Sequence, residues 1–297
     1  VKIMVTRNSV IYKDQPVETY SRSIIRVLRE LGHEVVDTQK GLDVNYNGID
    51  LLLDLDCGRN SKGELIWQGQ EGKLPVKSAV IFIDSHGYPS MHHRLSPHYD
   101  HVFFAVWRKR DLFTKHPSAH WCPNFTDLKW FDGRDYMNRN IEEETFDYGF
   151  FGSKGGLSRA DPMKEIAERN NWKVDIRQVG AQYKHQWPFT SVAMSACKVL
   201  FNHSQKSDGP NLRVFESMLM LRPLICDQDP RSGLDKLFKP WAHYIPYQRD
   251  YSGLEEAMHW AIDHPVEAKI IADAAYTEVR QKHLVGNRIE QILEVCE

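Results

Sequence analysis

The chain has 297 residues, more than one hydrophobic core usually serves, so two compact domains are expected. Hydrophobic residues make up 41% and charged residues 26%, and the formal net charge of −2 gives no electrostatic basis for binding bulk nucleic acid or an anionic membrane. The five cysteines are odd in number and lack C-x-x-C spacing, which argues against a disulfide framework or a cysteine-rich zinc site and fits a reducing cytoplasm.

Val1 to Thr6 is apolar, but Arg7 and Asn8 follow at once, so it is too short for a signal peptide. No apolar run approaches the ~20 residues needed to span a bilayer, which predicts a soluble protein. Lys2 to Thr6 reads as a strand. Thr19 to Leu31 carries Ile24, Ile25, Leu28 and Leu31 at helical spacing and stops at Gly32. A strand at Glu34 to Val36 follows. The nearly continuous apolar runs Leu51 to Leu55, Ala79 to Ile83 and Val102 to Val106 suit strands buried on both faces of a parallel sheet. Trp121 to Phe131 reads as irregular, and polar Asp135 to Glu144 as an interdomain linker.

A second alternation begins with the strand Asp147 to Phe151, which runs into the loop Gly152-Ser153-Lys154-Gly155-Gly156. A helix over Pro162 to Asn170 follows, with strands at Val174 to Val179, Lys198 to Phe201 and Pro223 to Cys226. Helices at Leu254 to Ile262, Val266 to Lys282 and Asn287 to Val295 close the chain. The prediction is α/β: two Rossmann-like, doubly wound domains facing a cleft. The expected divisions are an N-terminal domain over 1–140, a C-terminal domain over 141–280, and a last helix over 281–297 that crosses back to the first domain.

The segment Asn202 to Met218 carries the chemistry. It follows a buried strand, and Pro210 stands where a helix begins, since the first helical N–H groups need no intrahelical partner. Leu212, Phe215 and Leu219 are expected on the buried face of that helix. A loop feeding a helix N-terminus is an anion site, because free N–H groups and the positive end of the dipole meet there. Gly209 lets a diphosphate approach the backbone, with Asn211 and Leu212 beside it, and Arg213 can add a bidentate contact. Asp208 and Glu216 are eight residues apart, at most ~12 Å along a helix axis. Carboxylates at that spacing can take sugar and ribose hydroxyls, with the phosphates between them.

Asp208 to Glu216 resembles the acidic-x7-Glu motif of GT-B glycosyltransferases, of the group-1 type and its spore-maturation (CgeB-like) branch, whose members show a similar N-[LI]-R-[VT]-F-E run. The likeness covers about Asp147 to Glu297 well and the first half in outline. It implies that Glu216 binds the nucleotide ribose and Asp208 the donor sugar. It also implies that Lys154 and Arg159, after the first strand of the second domain beside Gly152, stabilise the departing diphosphate without a metal. Tyr244 would line the base pocket, and His86 would stand near the donor sugar. The implied activity is a retaining, hexosyltransferase-like transfer from a nucleoside-diphosphate-sugar, most commonly UDP-linked, with no cofactor, in the cytoplasm. The acceptor stays open between a glycan, a protein, a small molecule and a modified DNA base, and so does the oligomeric state. A non-catalytic nucleotide-sugar binding protein and a nucleotide-sugar epimerase are the alternatives.

In the first half His86, His92, His93, His98 and His101 crowd one stretch with Asp84 and Asp100, but their spacing matches no zinc template. Position favours His86, just beyond a strand end, with His93 as rival, and either can equally be a loop histidine. Asn8, Ser9 and Tyr12 are candidates for touching the acceptor, or for a turn.

Overall fold

The computed structural model describes residues 1–7, 20–39, 45–55, 73–83, 85, 87–137, 145–152, 154–179, 186–204 and 209–297. The chain forms two compact units, Val1–Asn124 with Val285–Glu297, and Phe125–Leu284. The division lies at Asn124, ahead of the residue 140 expected from the polar stretch. The reason is local: Phe131 is buried in the second core, and Thr126 bridges to Leu284. The expected linker in fact begins within a short helix, α3 (Gly133–Met137).

The first unit holds β1 (Lys2–Arg7), α1 (Tyr20–Glu30), β2 (Glu34–Gln39), β3 (Leu51–Leu55), β4 (Ser78–Phe82), α2 (Pro89–Leu95), β5 (His101–Phe104) and β6 (Ala119–Trp121). Its six strands are all parallel, in the order β2-β1-β3-β4-β5-β6. Every residue of β3 and β4 is buried, as their nearly continuous apolar runs lead one to expect, and the charged exception, Asp54, accepts from Thr6 Oγ1 at 2.8 Å. Strand β6 was not anticipated: Ala-His-Trp at a sheet edge carries no apolar run to announce it.

The second unit holds α3, β7 (Phe146–Gly152), α4 (Asp161–Arg169), β8 (Val174–Gln178), α5 (Gln186–Ser195), β9 (Cys197–Asn202), α6 (Leu212–Leu219), β10 (Leu224–Gln228), α7 (Leu234–Leu237), β11 (Ile245–Gln248), α8 (Leu254–Asp263) and α9 (Pro265–Lys282). Five parallel strands run in the order β11-β10-β9-β7-β8. Two apolar clusters cover this sheet. One is built from α6, α9 and the residues around β10, the other from α4 and α8.

The last helix, α10 (Val285–Cys296), belongs with the first unit. Buried Arg288 donates through Nε to the Pro123 carbonyl at 2.9 Å, and Gln291 donates to the Trp121 carbonyl at 2.9 Å. Lys77 donates to the Cys296 carbonyl at 2.7 Å, and α10 packs on α1. Among the described residues no helix is long and apolar enough to cross a membrane.

Candidate functional site

In an open parallel sheet, ligands collect beyond the carboxyl ends of the strands, where neighbouring connections leave in opposite directions. In the second unit that point lies between β7 and β9, because β8 follows β7 on one side while β9 lies on the other. The ends of these two strands, Gly152 and Asn202, are therefore where a ligand crevice opens.

Past Gly152 the chain makes a 3-10 segment over Lys154–Ala160. Lys154 opens it, and its side chain lies outside the described residues. Arg159 is half-buried and ties the two strand ends together. Its Nη1 donates to the His203 carbonyl at 2.5 Å and its Nε to the Gly156 carbonyl at 3.1 Å, while its guanidinium lies 5.7 Å from the Phe150 ring centre. Burial lowers its pKa, opposed by the fields of Tyr251 and Asp227.

Past Asn202 come His203 and Ser204, then α6. Gly209 is buried with φ +113°, a backbone state that L side chains rarely adopt, so glycine is needed there. The helix begins at Leu212, two residues past Pro210, with Asn211 as its N-cap. Its side chain accepts from the Val214 N–H at 3.3 Å and donates to Asn202 Oδ1 at 3.2 Å, which pins the helix start to the end of β9. Leu212 is partly buried, and the burial is not confined to one face: Val214 through Leu219 are all buried.

Glu216 lies within that buried run. It is 3% exposed, and its Oε2 lies 2.5 Å from Arg213 Nη1, the two side chains being 4% and 17% exposed. Arg213, expected to face a diphosphate, is instead turned onto Glu216. Arg213 Nη1 and Glu216 Oε2 are thus each other's partners, while Arg213 Nε is buried with no hydrogen bond. Burial raises the Glu216 pKa against the pull of Arg213, and burial lowers that of Arg213 against the pull of Glu216.

Tyr244 is 1% exposed and sits in the apolar cluster with Phe215, Phe238 and Leu224, its hydroxyl 3.5 Å from Gln228 Nε2. Burial pushes its pKa up to about 12. The structure gives it a packing place with no free face for a base. Asp208 lies outside the described residues, as do His86, Asn8, Ser9 and Tyr12. Of the other histidines in the first unit, His93 is exposed and bonded through Nδ1 to the Leu112 carbonyl at 3.0 Å. His92 is buried, stacked 4.2 Å from Phe82 and 3.0 Å from Ser85 Oγ. Among the described residues no three His, Cys, Asp or Glu side chains converge as a metal site would need.

The family described as "Glycosyl transferase-like" matches residues 160–294. Protein O-glucosyltransferase 2 of Danio rerio is 47% identical over 51 residues, a match covering 17% of this chain and about a tenth of that protein's length. Similar solved structures extend over the whole chain. Sucrose-phosphate synthase from Thermosynechococcus elongatus has a TM-score of 0.66 at 12% identity, covering 99% of this chain and 98% of that one. HepE from Anabaena in complex with UDP-glucose has 0.58 at 10% identity, covering 99% and 98%. T4 phage BGT in complex with UDP and Mn2+ has 0.60 at 13% identity, covering all of both chains. The fold is GT-B.

This GT-B fold also holds a buried cluster, beside the predicted donor segment, that no motif in the sequence marks. Asp227, at the end of β10, is 2% exposed and accepts from the Ser204 N–H at 2.7 Å and from Arg249 Nη1 at 2.5 Å. The same Nη1 also donates to the Ser204 carbonyl. His203 bonds through Nδ1 to the Tyr247 hydroxyl at 2.8 Å and stacks 4.3 Å from Tyr251. The available signal was a polar residue directly after each apolar strand core: Asp227 after Leu224-Ile225-Cys226, and Arg249 just past β11.

Burial, reinforced by Arg249 and Arg159 and opposed by Asp227, lowers the His203 pKa to about 4. An unfolded histidine titrates near 6.5, so the folded state is favoured fully above that pH, and the advantage is lost as pH falls toward 4. At pH 5 the loss is about 2 kcal/mol relative to pH 7.5. Calorimetric melts should therefore show a lower transition at pH 5 than at 7.5, with the difference reduced in His203→Gln. An equal pH dependence in both proteins counts against it.

Proposed function

We propose that this chain is a glycosyltransferase that moves a sugar from a UDP-sugar to an acceptor held by its first domain. The observation that carries the reading is the β7–β9 switch point, where Arg159 donates to the His203 carbonyl just past β9 and the chain goes on to the capped start of α6. A nucleoside diphosphate suits such a place. Its hydroxyls can donate to Glu216, and its phosphates meet free N–H groups, a helix dipole and fixed cations. The GT-B fold and the glycosyl transferase-like match over residues 160–294 support the same reaction class, and HepE, of the same fold, is described with UDP-glucose.

In this reading Glu216 holds the ribose and Asp208 the donor sugar. Lys154, Arg159 and the start of α6, around Gly152, Gly209, Asn211 and Leu212, stabilise the departing UDP by preorganised positive charge, which needs no metal. His86 would stand near the transferred sugar. Retention of configuration, a hexose donor, the CgeB-like branch and a cytoplasmic setting are carried forward from the sequence resemblance as part of the same proposal.

The test is binding followed by turnover. UDP should raise the melting temperature in a concentration-dependent way, more than ADP or GDP at equal concentration, because a ligand that binds only the folded state stabilises it by mass action. UDP-glucose and related donors should then be hydrolysed slowly without acceptor, releasing UDP. A shift without UDP release would mark a binding protein, and epimer formation without UDP release an epimerase. Absence of any shift with UDP or UDP-sugars would sink the proposal.

A further inference from the structure

The pairing of Arg213 with Glu216 has an unusual form. Glu216 is buried and Arg213 is 17% exposed, they touch at 2.5 Å, and Arg213 Nε is buried with no hydrogen bond. Buried polar groups are nearly always hydrogen-bonded, and each exception calls for a reason. Here an ion pair and an unsatisfied nitrogen lie on one turn of helix, at positions i and i+3 of α6. Breaking a buried pair by removing one partner is costly, whereas an apolar pair at such a place is often as stable, so stability by itself does not account for the arrangement.

Helix α6 packs on α9, β9 and β10. Titratable groups on and next to these elements include Lys198, Cys226, Asp227, Tyr276, Arg280 and His283. Their fields do not set the Glu216 ionisation: among the described residues it responds to burial and to the Arg213 charge. Without that guanidinium the carboxyl would be a neutral acid in an apolar wall. It would then be a poor acceptor for ligand hydroxyls.

We infer that Arg213 is a positioning residue of the donor site: it holds Glu216 there as a carboxylate, the form that accepts from ligand hydroxyls. This rests on the donor-site reading of Glu216 for the ligand's identity. The ionisation of Glu216 is independent of it.

The inference can be tested with and without ligand. In 13C NMR of Glu-labelled protein, with the Glu216 signal assigned by its absence in E216Q, the carboxyl of R213M should titrate about one pH unit or more above the wild type. R213K, which keeps the charge, should lie close to the wild type. In calorimetric titration with UDP, R213M should bind about tenfold or more weakly than the wild type at pH 6.5, the gap narrowing toward pH 8.5 as Glu216 ionises. Taking the ratio to the wild type cancels the titration of UDP itself. If R213M does not fold, R213Q, which keeps the polar volume without the charge, carries both measurements. An unchanged Glu216 titration in the charge-free variant overturns the inference. A raised titration in a protein that fails to bind UDP upholds the positioning of Glu216 and removes the donor reading instead.

Discussion

Replacing Glu216 by glutamine should weaken UDP binding by roughly 10- to 100-fold, while 2′-deoxy-UDP loses much less. The size follows from a hydrogen bond to a charged acceptor, worth about 1.5–3 kcal/mol, and from the tenfold change in affinity that each 1.4 kcal/mol brings. The comparison with the deoxy ligand isolates the hydroxyl. If Glu216 accepts from the ribose, the ligand lacking that donor has less to lose, and the two affinities converge in E216Q. Glutamine is the informative substitution because of where the side chain lies. Glu216 is 3% exposed against Arg213, so Glu216→Ala would leave a largely buried guanidinium with neither counter-ion nor acceptor, at a cost of about 3–5 kcal/mol, whereas glutamine, though it too removes the charge, keeps an acceptor oxygen beside it. E216A should therefore melt well below the wild type and below E216Q, and its lost binding would say little about recognition. Calorimetric titration with the two nucleotides and melts of both variants supply the check. Equal losses for UDP and 2′-deoxy-UDP would show that Glu216 does not read that hydroxyl.

Asp227→Asn should lower the melting transition of the second domain on the order of 10 °C. The carboxylate is 2% exposed, and its two oxygens take the Ser204 N–H and the Arg249 guanidinium. An amide in its place meets both donors with only one acceptor oxygen, leaving Arg249 partly buried without a counter-charge. Loss of one partner from such a pair costs about 3–5 kcal/mol, and each kcal/mol moves a transition of this size by about 2–4 °C. The groups act as a unit, since Arg249 Nη1 also holds the Ser204 carbonyl. Consequently the double variant Asp227→Asn, Arg249→Met should melt no lower than the worse single one. The same brace fixes the chain where it leaves β9 toward Gly209, so donor affinity should fall with stability. Differential scanning calorimetry of the three variants decides the matter, and a single-variant change under about 2 °C would mean that the cluster does not hold the second domain together.

The strands were legible because a parallel sheet covered on both faces needs unbroken apolar runs, and Leu51 to Leu55 is a strand with those bounds. Elements without a periodic signal were not legible. Helix α5 carries Trp187, Phe189, Val192 and Met194 with no consistent apolar face, and Phe189 and Val192 are exposed. Sequence also located the segment proposed to hold the donor, because a buried strand, a glycine and a capped helix follow one another along the chain. Gly209 at φ +113° and Asn211 at the cap obey local rules.

By itself, then, the sequence determined the two-domain α/β alternation and the chain position of the turn that leads into α6, because both rest on neighbours along the chain. The tertiary structure decided what Arg213, Tyr244 and Glu216 face, which charges Asp227 and Arg249 share, and that α10 rests on Trp121 and Pro123. Burial and partner choice depend on which strands lie side by side. Strand order brings β9 next to both β7 and β10, and joins residues such as Arg159 and His203 that lie far apart along the chain. Local propensity carries no record of that order, so a guanidinium free to reach a phosphate in the sequence can be committed to a carboxylate in the fold.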